Sequence, residues 1–120
     1  IGAVNPDMFY ELFLPELAEL SERYGGLGMH CCADAHHHWP AWQEIPALRL
    51  LNVVQPVDQI RAAYERFGDA TAQMHSWCGH GDPRTWRFPA GSRVVIAATA
   101  GSRDEAQQLT ESLRGVDHAT

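Results

Sequence analysis

Lysine is absent from this chain of 120 residues, and all nine basic residues are arginine. Asp and Glu number 15, which gives a formal net charge of −6, and no run of basic residues with interleaved aromatics occurs. Because a nucleic-acid site needs clustered positive charge, the sequence argues against nucleic acid as a partner. Long hydrophobic runs are also missing. No apolar stretch approaches the roughly 20 residues that cross a bilayer, so we expect no membrane partner.

Cysteine is scarce, with only Cys31, Cys32 and Cys78 present. An odd number with two adjacent members is not a disulfide framework. It favours a reducing, cytoplasmic compartment in which the thiols are free or bind a metal. The length suits one domain spanning residues 1–120 and is too small for two.

The first element predicted is a helix from Pro6 to Tyr24. Asn5 is a suitable N-cap, and proline is well tolerated at the first helical position. Pro15 cannot donate a hydrogen bond to the preceding turn, so we expect a bend there. Gly25-Gly26 ends the helix.

Apolar runs then alternate with a helical pattern. Strands whose residues are apolar throughout and that alternate with helices indicate a parallel sheet, so the predicted fold class is α/β. The predicted strands are Leu27–Cys32, Leu50–Val54, Thr71–Trp77 and Arg93–Ala98, with helices over Val57–Phe67 and after the Ser102 to Glu105 capping box.

The sharpest chemical signal lies at the end of the first strand. Side chains alternate along a strand, so His30 and Cys32 should face one way and Cys31 the other. Imidazole and thiolate are ligands that Zn²⁺ prefers, and Cys78, past the end of another strand, is the candidate third ligand. The alternative is structural, because cysteine is among the most buried residue types and a histidine at a strand end often only donates a hydrogen bond.

Three further places are candidates for ligand contacts. Asn52 lies at the end of the second strand, where reactive groups of parallel sheets gather. The backbone amides of Gly101 and Ser102 precede a helix and could bind a carboxylate or phosphate, although a plain capped turn explains them equally well. The run His36–His38 is interpreted as a solvated helix start, and the alternative is that a histidine of the run meets an anionic group of a substrate.

A resemblance to a family adds to these patterns. The run from Met29 to Asp34 and the stretch from Glu44 to Asn52 together resemble the second half of uroporphyrinogen decarboxylase-like proteins. The triplet Gly81-Asp82-Pro83 resembles the Asp-Pro loop that follows the family's next strand. The resemblance covers nearly all of this chain but about half of the family's barrel, so it implies part of a TIM-type (β/α)₈ barrel.

That superfamily includes decarboxylases and corrinoid (cobalamin) methyltransferases. In the methyltransferases zinc is held by His-x-Cys and a later cysteine, so the resemblance implies that His30 and Cys32 are zinc ligands in methyl transfer from a corrinoid to a thiol. The family's last cysteine falls where this chain has Ala98 to Ala100, and Cys78 lies on an earlier strand. The decarboxylase residues belong to the N-terminal half and have no counterparts here, so porphyrinogen decarboxylation is a weaker alternative.

Half a barrel leaves strand edges unpaired and one sheet face exposed. We therefore expect a missing N-terminal half or a second copy of the chain to complete it. The alternative to an enzyme is a non-catalytic half barrel that binds a small molecule or itself. The residues that would act directly in catalysis are not indicated by the sequence.

Overall fold

The computed structural model describes residues 1–53, 57–76, 82 and 85–114. The chain begins with continuous helical backbone in three parts: helix α1 (Pro6–Met8), a π-helical segment (Phe9–Phe13) and helix α2 (Leu14–Tyr24). The predicted helix is thus confirmed in its bounds. Just before Pro15 the backbone forms the π-helical segment, a wider turn in which the Leu14 amide donates to the Phe9 carbonyl. The bend expected at Pro15 stays a prediction.

Helix α2 ends where the sequence predicts. Gly25 adopts a left-handed conformation with φ of 76°, which costs glycine little, and its amide donates to the Ser21 carbonyl. Gly26 follows with φ of 147°, and a Cβ there would lie 2.8 Å from the side chain of Arg49. These two positions let the chain turn directly from α2 into the first strand.

Four strands follow, and all three pairings are parallel, as predicted. The sheet order is β1-β2-β3-β4, the order of the sequence. The strand bounds are β1 (Leu27–Cys31), β2 (Leu48–Val53), β3 (Ala72–Ser76) and β4 (Val94–Ala97). The helices beyond α2 are α3 (Trp39–Trp42), α4 (Val57–Phe67) and α5 (Arg103–Arg114), with a short 3₁₀ turn at His36–His38.

The two faces of this sheet differ. Parallel neighbours in consecutive order are almost always joined by right-handed crossovers, so we expect the connecting segments to return on the same side of the sheet. We call that side the covered face. Its strand residues Met29, Cys31, Leu51 and Val53 are buried against Phe9, Trp39, Trp42 and Ala63. Toward β4 the same face packs on a second cluster made of Tyr64, Trp86 and Phe88.

The opposite side, which we call the open face, carries the alternate residues of the strands. Here the described residues are mostly exposed or half-buried, and Val95 keeps 42% of its surface. The open face comprises Gly28, His30, Leu50, Asn52, Met74, Val95 and Ala97, with Ala72 buried among them. The chain therefore folds as an α/β unit with a parallel sheet. The N-terminal helical segment, α3 and α4 contribute buried residues to the core, whereas α5 buries none.

Candidate functional site

His30 and Cys32 lie together at the carboxyl end of β1. His30 is the fourth residue of the strand, and Cys32 follows its last residue. The Nε2 atom of His30 is 2.6 Å from Sγ of Cys32, and both side chains are exposed. The sequence-based expectation that these two residues face the same way is confirmed. An imidazole nitrogen and a sulfur are thus presented side by side on the open face.

Asn52 completes this group from the neighbouring strand. His30 and Asn52 are register partners in the β1–β2 ladder, which brings their side chains next to one another. Nδ1 of His30 is 2.5 Å from Oδ1 of Asn52, and Nδ2 of Asn52 donates to the Met74 carbonyl at 2.8 Å. Both ends of the Asn52 amide are therefore engaged by protein groups. The predicted direct contact between Asn52 and a cofactor stays a prediction.

Cys31 points to the covered face, as the alternation of the strand predicts. It keeps 7% of its surface and lies in the core cluster with Met29 and Val53. Its thiol donates to the Ala33 carbonyl at 3.2 Å. Cys31 thus matches the structural interpretation of cysteine, while Cys32, one residue later, is free and exposed.

The predicted third metal ligand, Cys78, lies outside the described residues. Within the described parts of the chain, no group of three or more His, Cys, Asp or Glu side chains is arranged to hold a metal ion. The two candidate ligands that the structure describes, His30 and Cys32, are fewer than the three that catalytic zinc sites use.

The turn before α5 forms the predicted capping box with one difference: the Glu105 carboxylate binds the amide of Gly101 and not that of Ser102. The Glu105 amide donates to Oγ of Ser102 at 3.2 Å, and the Glu105 carboxylate accepts from the Gly101 amide at 2.6 Å. The Glu105 carboxylate thus already occupies the Gly101 amide, which is one of the amides that a bound carboxylate or phosphate would need. Ligand binding by Gly101 and Ser102 remains a prediction.

The interpretation of the histidine run as solvated is wrong for His38. This side chain keeps 1% of its surface, lies against the Phe9 ring and has Nε2 at 2.9 Å from the Ile1 carbonyl. Burial lowers the pKa of His38, because a buried charge is poorly solvated. Its Nδ1 has no hydrogen-bond partner within the described chain. Burial at this position follows from tertiary packing of the N-terminal segment, which a local pattern does not reveal.

The other members of the run remain accessible. His36 binds Asp34, whose Oδ1 is 2.7 Å from Nδ1 of the ring and also accepts from the His36 amide. These two hydrogen bonds lower the pKa of the Asp34 carboxyl. His37, which is exposed, contacts the Val4 carbonyl at 3.2 Å. The run thus ties the chain's first residues to the loop after β1.

A polar pair on the covered face was missed from the sequence. The hydroxyl of Tyr64 is 2.6 Å from Nε2 of His75, and both residues are buried. Burial raises the pKa of Tyr64 strongly, so the hydroxyl stays protonated. The signal was present in the alternation of β3, because Gln73 and His75 occupy the face on which β2 places Leu51 and Val53.

Comparison of the chain with protein-family models, curated proteins and solved structures found no match. Among the described residues, the helices are too short or too polar to span a lipid bilayer.

Proposed function

We propose that the chain is part of a uroporphyrinogen decarboxylase-like barrel whose His30–Cys32 pair holds a zinc ion for methyl transfer between a corrinoid and a thiol. The observation that carries the proposal is the placement of His30 Nε2 beside Cys32 Sγ at the carboxyl end of a parallel strand. Ligand and metal sites of parallel α/β sheets occur at that end.

The two candidate donor atoms, a histidine nitrogen and a cysteine sulfur, are of the types that zinc binds. Nitrogen and sulfur ligands are those zinc prefers, and around a tetrahedral ion they would lie about 3.5 Å apart, given metal–ligand bonds of about 2.0 and 2.3 Å. The present separation of 2.6 Å must therefore widen by roughly 1 Å. A small rotation of the exposed Cys32 side chain would provide this. Cys78 is the proposed third ligand, and the remaining position would accept the thiol substrate.

In the proposed reaction, the role of His30 and Cys32 is to bind the metal ion. His30 and Cys32 hold the ion on the open face, where both a thiol and a flat methyl donor can approach the sheet. When bound, zinc would lower the pKa of the substrate thiol and so favour the thiolate. The thiolate would take the methyl group from the methyl–corrinoid, with the cobalt–carbon electron pair staying on the cobalt and the thiol proton leaving to solvent.

The sheet topology supports the barrel part of the proposal. Four consecutive parallel strands with their connections on one side are the arrangement found along any half of a (β/α)₈ barrel. In such a barrel the open face would line the interior, and the end of β1 would lie at the rim that carries active sites.

Metal uptake by the purified chain tests the zinc site. We expect elemental analysis after zinc loading and desalting to find zinc in the parent chain and a large loss in His30→Gln and Cys32→Ser. His36→Gln is the matched control, because His36 is a nearby, accessible histidine that binds Asp34 instead of a thiol. Absence of zinc from the loaded parent chain, or full zinc binding by Cys32→Ser, would overturn the proposal.

A second candidate is a non-catalytic half barrel that associates with a second copy of itself. The apolar side chains of the open face favour it, as do the two edge strands, β1 and β4, which have no further strand beside them among the described residues. Two copies would supply eight strands, the number whose interior side chains just fill a barrel.

Sedimentation velocity distinguishes this candidate. We expect a dimer for the parent chain and a monomer for Val95→Arg, which places a charge on the open face. Leu12→Arg is the control, because Leu12 is also exposed but lies in the N-terminal π-helical segment. A parent chain that sediments as a monomer at all concentrations contradicts self-association.

A further inference from the structure

We infer that Asn52 is a positioning residue that fixes the tautomer of His30, so that the ring presents an unprotonated Nε2 toward Cys32. The link to zinc rests on the proposed function. The tautomer itself depends only on the hydrogen bonds of the chain. Asn52 in this role contacts neither metal nor substrate and acts through His30.

The direction of the hydrogen bonds follows from one backbone group. The Met74 carbonyl can only accept, so the atom of Asn52 that lies 2.8 Å from it must be the NH₂ group. Oδ1 of Asn52 then faces His30 and is also only an acceptor. Nδ1 of His30, at 2.5 Å, must therefore carry the proton. A flipped Asn52 amide would place two acceptors against each other at Met74, so the assignment does not rest on a choice of side-chain orientation.

The position of the remaining lone pair is then determined. A neutral imidazole has one N–H and one acceptor nitrogen, so a proton on Nδ1 leaves Nε2 unprotonated. Nε2 is the atom beside Sγ of Cys32. The tautomer set by Asn52 thus directs the coordinating lone pair of His30 to the side on which the thiol lies.

The support for this arrangement crosses three strands. His30 belongs to β1, Asn52 to β2 and Met74 to β3, and the ladder pairs His30 with Asn52 directly. Because each link uses a backbone register or a backbone carbonyl, the orientation of the ring is fixed by the sheet and not by a mobile loop. Partners of this kind, on the second ring nitrogen of a ligating histidine, are typically worth about 10- to 100-fold in metal affinity.

Histidine NMR of the metal-free chain tests the tautomer directly. Spectra correlating ring protons with ¹⁵N, recorded at about pH 8.5 so that ordinary histidines are neutral, distinguish Nδ1–H from Nε2–H. We expect Nδ1–H for His30 in the parent chain. Asn52→Asp keeps an acceptor for Nδ1, although it loses the hydrogen bond to the Met74 carbonyl, and should retain the Nδ1–H tautomer. The similarly sized Asn52→Leu should lose it.

Zinc affinity provides the second readout. We expect Asn52→Leu to bind zinc roughly 10- to 100-fold more weakly than the parent, Asn52→Asp to restore most of the affinity, and His36→Gln to leave it unchanged. A chain that binds no zinc but shows the tautomer change supports the positioning role and overturns only the metal proposal. An Nε2–H tautomer in the parent chain overturns the inference, even if Asn52→Leu does not fold.

Discussion

The covered and open faces of the sheet are built from the same four strands but carry different kinds of residues. On the covered face, Leu51 and Val53 are buried in the main core cluster. One residue away in the alternation, Asn52 is half-buried and binds His30. The contrast shows how a parallel strand serves two purposes at once: one side contributes apolar area to folding, and the other holds polar groups where a ligand can reach them.

The polar groups of the two faces also differ in their surroundings. On the covered face, Tyr64 and His75 bind one another among aromatic rings and are shielded from water. On the open face, His30 and Cys32 are exposed. A buried polar pair mainly avoids the cost of an unsatisfied group, whereas an exposed pair is available for chemistry.

The largest expected effect compares adjacent leucines on β2. Leu51→Ala removes a side chain that is 99% buried and should lower the free energy of unfolding by about 2–5 kcal/mol, since it creates a cavity in the core. Leu50→Ala, on the open face, should cost about 1 kcal/mol or less. Urea denaturation followed by circular dichroism measures both.

The Leu50→Ala substitution also tests whether the open face is exposed to solvent or covered by another chain. If Leu50→Ala destabilises the chain as much as Leu51→Ala, and does so more strongly at higher protein concentration, the open face is covered by a second copy. Equal costs that do not depend on concentration contradict the assignment of the two faces.

A smaller effect is expected for the buried polar pair of the covered face. Tyr64→Phe removes the hydroxyl that lies 2.6 Å from His75 Nε2 and leaves that nitrogen without this partner, so we expect a loss of about 1–3 kcal/mol. The control is Tyr10→Phe, which removes an exposed hydroxyl that donates to Glu44. Its midpoint in urea should hardly change. Equal shifts in the two midpoints would show that the buried Tyr64–His75 hydrogen bond stabilises the fold no more than the exposed Tyr10–Glu44 bond does.

Much of the fold was predictable because its signals are local. The cap at Asn5, the glycines at 25 and 26 and the apolar strands each act over a few residues, and the structure contains the elements that they indicate. The same-side placement of His30 and Cys32 was also predictable, because strand alternation alone sets it.

What the sequence could not supply was the outcome of long-range packing. The partner of His30 is Asn52, which is 22 residues away and is selected by strand register. The burial of His38 depends on the first residues of the chain folding over it, and the Tyr64–His75 bond joins a helix to a strand. Patterns of hydrophobicity report which side of an element is apolar. They do not report which polar group it will meet.

The smallest expected effect concerns pH and a histidine in the layer that covers the sheet. Burial lowers the pKa of His38, so between about pH 6.5 and its lower folded value the unfolded chain binds a proton that the folded chain does not. Burial of neutral His38 therefore costs no stability above about pH 6.5. Below that pH the unfolded chain gains a proton, and the free energy of unfolding decreases. We expect His38→Gln, measured by urea denaturation between pH 7 and pH 5, to flatten this decrease. An identical slope in the parent and His38→Gln would show that His38 takes up its proton equally in both states, and the contrast between buried and exposed histidines would then fail at this position.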